Sequence, residues 1–139
     1  MAYAESSAIL AWLLGERREA AVRRALAGAE RIVASTLTAL ECARALSRGA
    51  VTSRLRAADE LAALQLLERV SATWVTLEMT GRVVDRARGR FPEEPVRTLD
   101  ALHLATAVMF HEARGALTMV SLDERIRRNA AALGFRVAP

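Results

Sequence analysis

Four acidic residues stand where predicted strands end or predicted helices begin, rather than on the exposed faces of helices. They are Glu5, Glu41, Asp100 and Asp123. If the strands form a parallel sheet, these positions share the edge where strands end and helices begin. Ligands collect at that edge of open α/β sheets, and helix amino ends favour anions. The four carboxylates therefore form one candidate site.

Four converging carboxylates repel one another strongly unless cations lie among them. Oxygen ligands without cysteine are typical of Mg²⁺ or Mn²⁺ rather than zinc, and the chain has one cysteine. We expect no histidine in the ligand set, and His103 is predicted to be a hydrogen-bonded core residue. Two such ions can activate water and stabilise a leaving oxygen in phosphodiester hydrolysis. The pattern thus predicts divalent-metal chemistry on a phosphate ester.

Each carboxylate also has an ordinary structural interpretation. Asp100 and Asp123 can complement helix dipoles, an effect of about 0.3–1 kcal/mol. Glu41 fits the last position of a capping box that begins at Thr38, and Glu5 fits a strand end. From the pattern alone, four separate structural roles and one shared site both remain open.

The elements that would position these residues are short apolar strands that alternate with longer helices. This alternation predicts the α/β class, with a central, mostly parallel sheet flanked by helices. Ser6 or Ser7 is expected to cap the first helix, and a second capping box is expected at 121–124. Strands are predicted at 2–4, 32–35, 74–76, 118–120 and 135–137, and helices at 7–14, 17–28, 37–48, 54–69, 78–89, 99–113 and 123–133.

Composition narrows the class of protein. The 139 residues, 53% of them hydrophobic, predict one compact domain over 1–139. One cysteine excludes an internal disulfide and a multi-cysteine zinc site. All 20 basic residues are arginine and the net charge is +4, which suits a nucleic-acid partner, although GC-rich coding also explains the arginine bias. With no signal peptide and no apolar run near 20 residues, we expect a cytoplasmic protein without membrane contact.

Four segments of the chain resemble the PIN-domain family. They are 3–8 around the first acid, 35–46 around the second, 97–105 around the third and 120–125 around the fourth. The segment 97–105, Arg-Thr-Leu-Asp-Ala-Leu-His-Leu-Ala, is the most specific of them. The resemblance extends along essentially the whole chain, in the family's order and spacing. Within the family, the size is similar to that of VapC-like toxins of bacterial toxin–antitoxin pairs.

The resemblance implies a PIN-like three-layer fold and an endoribonuclease that depends on Mg²⁺ or Mn²⁺. It implies that Glu5, Glu41, Asp100 and Asp123 are the catalytic residues and metal ligands. It further implies a homodimer and a cognate antitoxin that blocks the acidic pocket, with DNA bound only through the antitoxin. An apolar strip on 53–70 is either core or part of the groove for that antitoxin.

Two further residues are candidates for substrate binding. Ser7 matches a small hydroxyl residue of the family and would place a water or a phosphate; a helix cap is the alternative. Arg97 would contact RNA phosphate or an antitoxin carboxylate; an unengaged loop arginine is the alternative.

Glu5 departs from the family, which normally has Asp there. Its extra methylene and torsion matter because Mg²⁺ demands near-ideal geometry at about 2.0–2.1 Å. Three outcomes are open: the glutamate is tolerated, it weakens the nuclease, or the protein keeps the fold and has lost the catalytic activity. The last corresponds to an inactive, antitoxin-binding protein, such as a subunit of a DNA-binding repressor complex. A third candidate function is Mg²⁺-dependent hydrolysis of small phosphate esters.

Overall fold

The computed structural model describes residues 1–139 and contains a five-stranded sheet with seven helices. All strand pairs are parallel, in the order β3-β2-β1-β4-β5, so the predicted α/β class is confirmed. The strands are β1 (Ala2–Ala4), β2 (Ile32–Ser35), β3 (Val75–Leu77), β4 (Thr118–Val120) and β5 (Arg136–Ala138). The helices are α1 (Ser6–Leu13), α2 (Glu19–Ala27), α3 (Thr36–Val51), α4 (Ala57–Ser71), α5 (Gly81–Arg88), α6 (Thr98–Arg114) and α7 (Glu124–Ala132).

The sheet separates two apolar cores, and β1 contributes to both. Tyr3 packs with Met119 and Leu104 on one face, whereas Ala2 and Ala4 pack with helix residues on the other. This alternation follows from the two-residue period of a strand. Because both faces are covered, β1 is apolar along its whole length, as expected for a buried parallel strand. The result is a three-layer arrangement.

The strand order creates a switch point beside β1. From β1 the chain builds β2 and β3 on one side and β4 and β5 on the other. Ala4 is paired in register with Val120, and the Glu5 N–H donates to the Val120 carbonyl at 3.0 Å. The segments that follow β1 and β4 therefore lie side by side. A crevice at such a point is where open parallel sheets bind ligands.

Several predicted element ends are wrong by one to three residues; α3 ends three residues later than predicted, and α4 and α5 each begin three residues later. The strands β3 and β5 each begin and end one residue later than predicted. The first helix is capped by Glu5, not by Ser6 or Ser7, because the Glu5 carboxylate accepts the Ser7 N–H. Helix α3 begins at Thr36 with Ser35 as its cap. The Thr38 hydroxyl instead donates to the Ala4 carbonyl at 3.1 Å, so the predicted capping box does not form.

The second predicted capping box, at 121–124, is also wrong. Asp123 caps α7, and its carboxylate accepts the N–H groups of Arg125 and Ile126. Glu124 lies in the first turn and pairs with Arg128 at 3.3 Å. A short carboxylate immediately before the helix reaches the free N–H groups directly, so the box is unnecessary. None of the helices combines the length and the apolar character needed to span a bilayer.

The loop before α6 is anchored by one buried side chain. Asn129 of α7 is fully buried; its Oδ1 accepts the Glu93 N–H at 2.9 Å, and its Nδ2 donates to the Glu93 carbonyl at 2.9 Å. We expect Asn129→Ala to lower the free energy of unfolding by about 1–3 kcal/mol, because two backbone groups lose their partners. Urea denaturation measures this. An unchanged midpoint would contradict the anchoring role.

Candidate active site

The carboxylate of Glu5 lies at the switch point and is 4% exposed. Its Oε1 accepts the Ser6 hydroxyl at 2.6 Å and the Ser7 N–H at 3.1 Å. Its Oε2 accepts the Ser121 hydroxyl at 2.7 Å and also the Ser7 hydroxyl. We call the three hydroxyls of Ser6, Ser7 and Ser121 the serine cradle. It holds the longer side chain in a single position.

Ser7 joins this cradle to the loop that carries the fourth acid. Its oxygen donates its proton to Glu5 and accepts the N–H groups of Leu122 at 2.9 Å and Asp123 at 3.1 Å. The Ser121 oxygen accepts the same Asp123 N–H at 3.1 Å. A hydroxyl with this many partners orients its neighbours. The geometry thus gives Ser7 a positioning role, and the predicted contact with water or phosphate stays a prediction.

Asp100 has the least satisfied carboxylate in the structure. It lies in the first turn of α6, and its Oδ2 is buried without any hydrogen-bond partner. The nearest cation, Arg125, places Nη1 3.9 Å away, which is beyond hydrogen-bond length. Burial and then the charge of Asp123 raise the pKa of Asp100, with a further contribution from Glu5, while Arg97 and Arg125 oppose them. A cation at this oxygen would relieve both the repulsion and the missing contact.

Asp123 combines its predicted structural role with an electrostatic effect on Asp100. Its Oδ1 accepts the Arg125 N–H at 2.8 Å and the Ile126 N–H at 3.3 Å. Because both N–H groups bind Oδ1, its Oδ2 takes no part in the cap. The carboxylate is close enough to Asp100 to raise the pKa of that residue.

Glu41 reaches the site from α3 and contacts a histidine. Its Oε2 lies 2.6 Å from Nε2 of His103, whose side chain is 1% exposed. Burial raises the pKa of Glu41, but the hydrogen bond and charge of His103 bring the pKa below its ordinary value. Potential ligand atoms of Glu5, Glu41 and His103 all lie within 4.8 Å of one another.

His103 is the residue that sequence reasoning did not place in the site. It is buried, as expected, but it is in direct contact with a predicted metal ligand. A signal was present in the sequence, because His103 follows Asp100 by three residues on α6. Residues at this spacing share a helix face, so a helix that turns Asp100 toward the site turns His103 the same way.

Arg97 lies at the rim of the site. It precedes α6 as the N-cap residue, makes no side-chain cap hydrogen bond and is exposed. Its charge lowers the pKa of Asp100. Arg125 is 44% exposed, with its Nη1 3.9 Å from Oδ2 of Asp100. The positive charges of both arginines therefore act on Asp100.

The donor set fits a hard divalent cation. The potential ligand atoms within 4.8 Å of one another are carboxylate oxygens of Glu5 and Glu41 and a nitrogen of His103, and Asp100 adds, outside that group, a buried oxygen that has no partner. Such oxygens suit Mg²⁺ and Mn²⁺, and a neighbouring imidazole is compatible with Mn²⁺. The observation that supports a cation here is the unpartnered oxygen, since a purely structural carboxylate at this depth would be hydrogen-bonded.

Comparison with known proteins identifies the family. The PIN domain model matches residues 2–132. Ribonuclease VapC46 of Mycobacterium tuberculosis is 36% identical over 135 residues, which cover 97% of this chain and 94% of the relative. The crystal structure of VapC20 of the same organism, a toxin that cleaves the sarcin-ricin loop, superposes with a TM-score of 0.71 at 20% identity and covers 100% of both chains.

A second solved structure has the same fold. PAE2754 from Pyrobaculum aerophilum superposes with a TM-score of 0.57 at 20% identity, covering 93% of this chain and 84% of that protein. The resemblance found in the four acidic segments is confirmed by the match over residues 2–132. This chain belongs to the PIN domain family.

Proposed function

We propose that this chain is a metal-dependent endoribonuclease and the toxin of a toxin–antitoxin pair. Family membership and 36% identity to a ribonuclease support the nuclease class. The structural observation that carries the metal dependence is the buried, unpartnered Oδ2 of Asp100 among other carboxylates. Glu41, Asp100, Asp123 and Glu5 would hold Mg²⁺ or Mn²⁺. A divalent ion there supplies Lewis acidity for phosphodiester hydrolysis.

Each side chain contributes a separate part of the mechanism. Glu5 is immobilised by the serine cradle, and Glu41 is held by His103. Asp100 offers a free oxygen. Arg97 and Arg125 would bind the RNA backbone and orient a phosphate near the carboxylates, because guanidinium groups match phosphate geometry. Because these side chains are already held in position, less entropy is lost when the reactants are oriented, and the activation barrier of hydrolysis is lower.

The arginine contribution predicts a salt-dependent effect. In an Asp100→Asn background, Arg97→Gln should weaken binding of single-stranded RNA and reduce the slope of log Kd against log salt by about 0.7. Fluorescence anisotropy at several salt concentrations measures the slope. Arg31→Gln is the matched control, since Arg31 is also exposed but precedes β2 at the opposite edge of the sheet. Equal slopes for the two variants would contradict the role of Arg97.

The antitoxin would bind along α1 and α4. An apolar groove of about 320 Å³ between these helices is lined mainly by leucine and alanine side chains. Leu61, also on α4, is 59% exposed. An amphipathic helix buries its apolar face in such a groove. This is part of the 53–70 strip, so the strip divides between core, at Leu67, and this surface, which the buried Ala63 also lines. We also propose a homodimer.

One experiment tests the nuclease activity. The purified chain is incubated with a labelled RNA, a DNA of the same sequence and para-nitrophenyl phosphate, each with Mn²⁺, Mg²⁺ or EDTA. We expect RNA cleavage that disappears with EDTA and returns with either ion. Hydrolysis of the small ester without RNA cleavage would favour the phosphohydrolase function instead.

The saturation of Glu5 favours a second candidate function. A carboxylate has about four lone-pair sites, and Glu5 already accepts four hydrogen bonds. A glutamate fixed in this way is compatible with an inactive protein that binds an antitoxin. Calorimetric titration with Mn²⁺ separates the two functions. Absence of binding in the wild type, with binding in Glu5→Asp, would identify the chain as a binding module.

A further inference from the structure

We infer that Tyr3 and His103 are positioning residues: Tyr3 fixes the imidazole of His103, and His103 fixes the Glu41 carboxylate in the orientation that binds metal. The inference rests on the proposed function, since it assigns both residues a part in metal binding. We call the three side chains of Tyr3, His103 and Glu41 the relay.

The relay runs from the core to the rim of the site across three elements. Tyr3 lies on β1, His103 on α6 and Glu41 on α3. The Tyr3 Oη is 3.0 Å from Nδ1 of His103, and Nε2 of His103 is 2.6 Å from Oε2 of Glu41. Tyr3 and His103 are 0% and 1% exposed, and their rings pack edge to face at 81°. Both rings are therefore held in place by contacts with protein atoms and are shielded from solvent.

The Glu41 carboxylate determines the proton order of the imidazole. It only accepts hydrogen bonds and lies 2.6 Å from Nε2 of His103, so Nε2 carries a proton and donates it to Glu41. Nδ1 of the neutral imidazole is then an acceptor. The Tyr3 hydroxyl, 3.0 Å away, donates to it.

This arrangement changes what Glu41 can do. A charge-assisted bond to Oε2 fixes the carboxylate plane and leaves Oε1 for another partner. The Glu5 carboxylate lies within 4.8 Å of this group, so the orientation of Glu41 decides whether the two acids face a common ion. Partners that orient a metal ligand change affinity without touching the metal.

Titration of the full-length protein with Mn²⁺ by calorimetry tests the relay in four variants. His103→Leu removes the donor and should weaken Mn²⁺ binding by about 10- to 100-fold. His103→Gln keeps an N–H donor near the Nε2 position and should restore most of the affinity. Tyr3→Phe removes only the hydroxyl and should give an intermediate loss. His111→Gln, on an exposed turn of the same helix, is the control and should bind like the wild type.

A second measurement needs neither metal nor a folded variant. The chain has two histidines, so ¹⁵N–¹H correlation spectra of the metal-free wild type resolve both rings. We expect His103 to show a protonated Nε2 and an unprotonated Nδ1. The reverse tautomer, or a doubly protonated ring, would overturn the proton order of the relay.

The outcomes distinguish the relay from the proposed function. If the wild type binds Mn²⁺ and cleaves RNA but folded His103→Leu binds equally well, the relay is wrong and the nuclease function stands. If His103→Gln loses as much affinity as His103→Leu, the imidazole acts as a ligand and the relay is again wrong. If the wild type neither binds Mn²⁺ nor cleaves RNA, the nuclease function is wrong, and the role of the relay in metal binding is wrong with it.

Discussion

Asp100→Asn should abolish RNA cleavage while leaving the metal-free protein at least as stable as the wild type. Cleavage should fall by about a thousandfold or more, since metal ions contribute several kcal/mol and each 1.4 kcal/mol is a factor of ten. Stability should not fall, because the buried Oδ2 has no hydrogen-bond partner to lose and Asp123 repels the charge. Function and stability thus oppose each other at this residue.

The pKa of Asp100 fixes how this difference depends on pH. Its folded-state pKa is raised above the unfolded value, so the folded protein holds the proton more tightly. The stability linked to that proton is present below the unfolded pKa and is lost as pH rises through the folded pKa. Asparagine does not ionise, so the variant should gain on the wild type as pH rises through this window.

Calorimetric Tm values in EDTA, from acid to neutral pH, measure the effect on stability, and a fluorogenic RNA measures cleavage. Added Mn²⁺ should raise the Tm of the wild type, because an ion that binds the folded state stabilises that state. It should not raise the Tm of Asp100→Asn, which we expect not to bind the ion. Asp85→Asn is the matched control, since Asp85 is 72% exposed and pairs only with Arg88. Full cleavage by Asp100→Asn would remove this residue from the site.

Glu5→Gln should lower both the stability of the protein and its metal binding, whereas Asp100→Asn should leave stability unharmed. The carboxylate accepts two hydrogen bonds at each oxygen, and an amide replaces one of those acceptors with a donor. Hydroxyls of the serine cradle then lose their charged partner inside the protein. We expect a loss of roughly 2–3 kcal/mol, because hydrogen bonds to charged groups contribute about that much.

For a domain of this size the loss corresponds to a Tm lower by on the order of 10 °C. Thermal denaturation in EDTA measures it without any contribution from metal. Glu68→Gln, at an exposed position of α4, controls for the removal of a negative charge. If Glu5→Gln is as stable as this control, the serine cradle does not hold the fold together. A variant that is destabilised but still binds Mn²⁺ would make Glu5 a purely structural carboxylate.

The sequence was sufficient to predict the features that depend on local pattern. The bounds of β1, β2 and β4 are those predicted, because short apolar runs between helical segments leave little choice of strand. The parallel sheet followed from the alternation of strands and helices, and the family from the four acidic segments. Glu5, Asp100 and Asp123 were found by their positions at a strand end or a helix start, and Glu41 by its place one turn into the helix after β2.

Tertiary structure decided what each of these residues contacts. Ser121 donates to Glu5 across 116 positions of sequence, and Tyr3 meets His103 across 100. Those contacts exist because β1 lies beside β4 and beneath α6, an order that no local spacing encodes. The unpartnered oxygen of Asp100 is likewise a property of the assembled crevice. Periodicity fixes which face a side chain occupies, whereas hydrogen-bond partners from distant segments are fixed only when the strands are ordered and the helices packed.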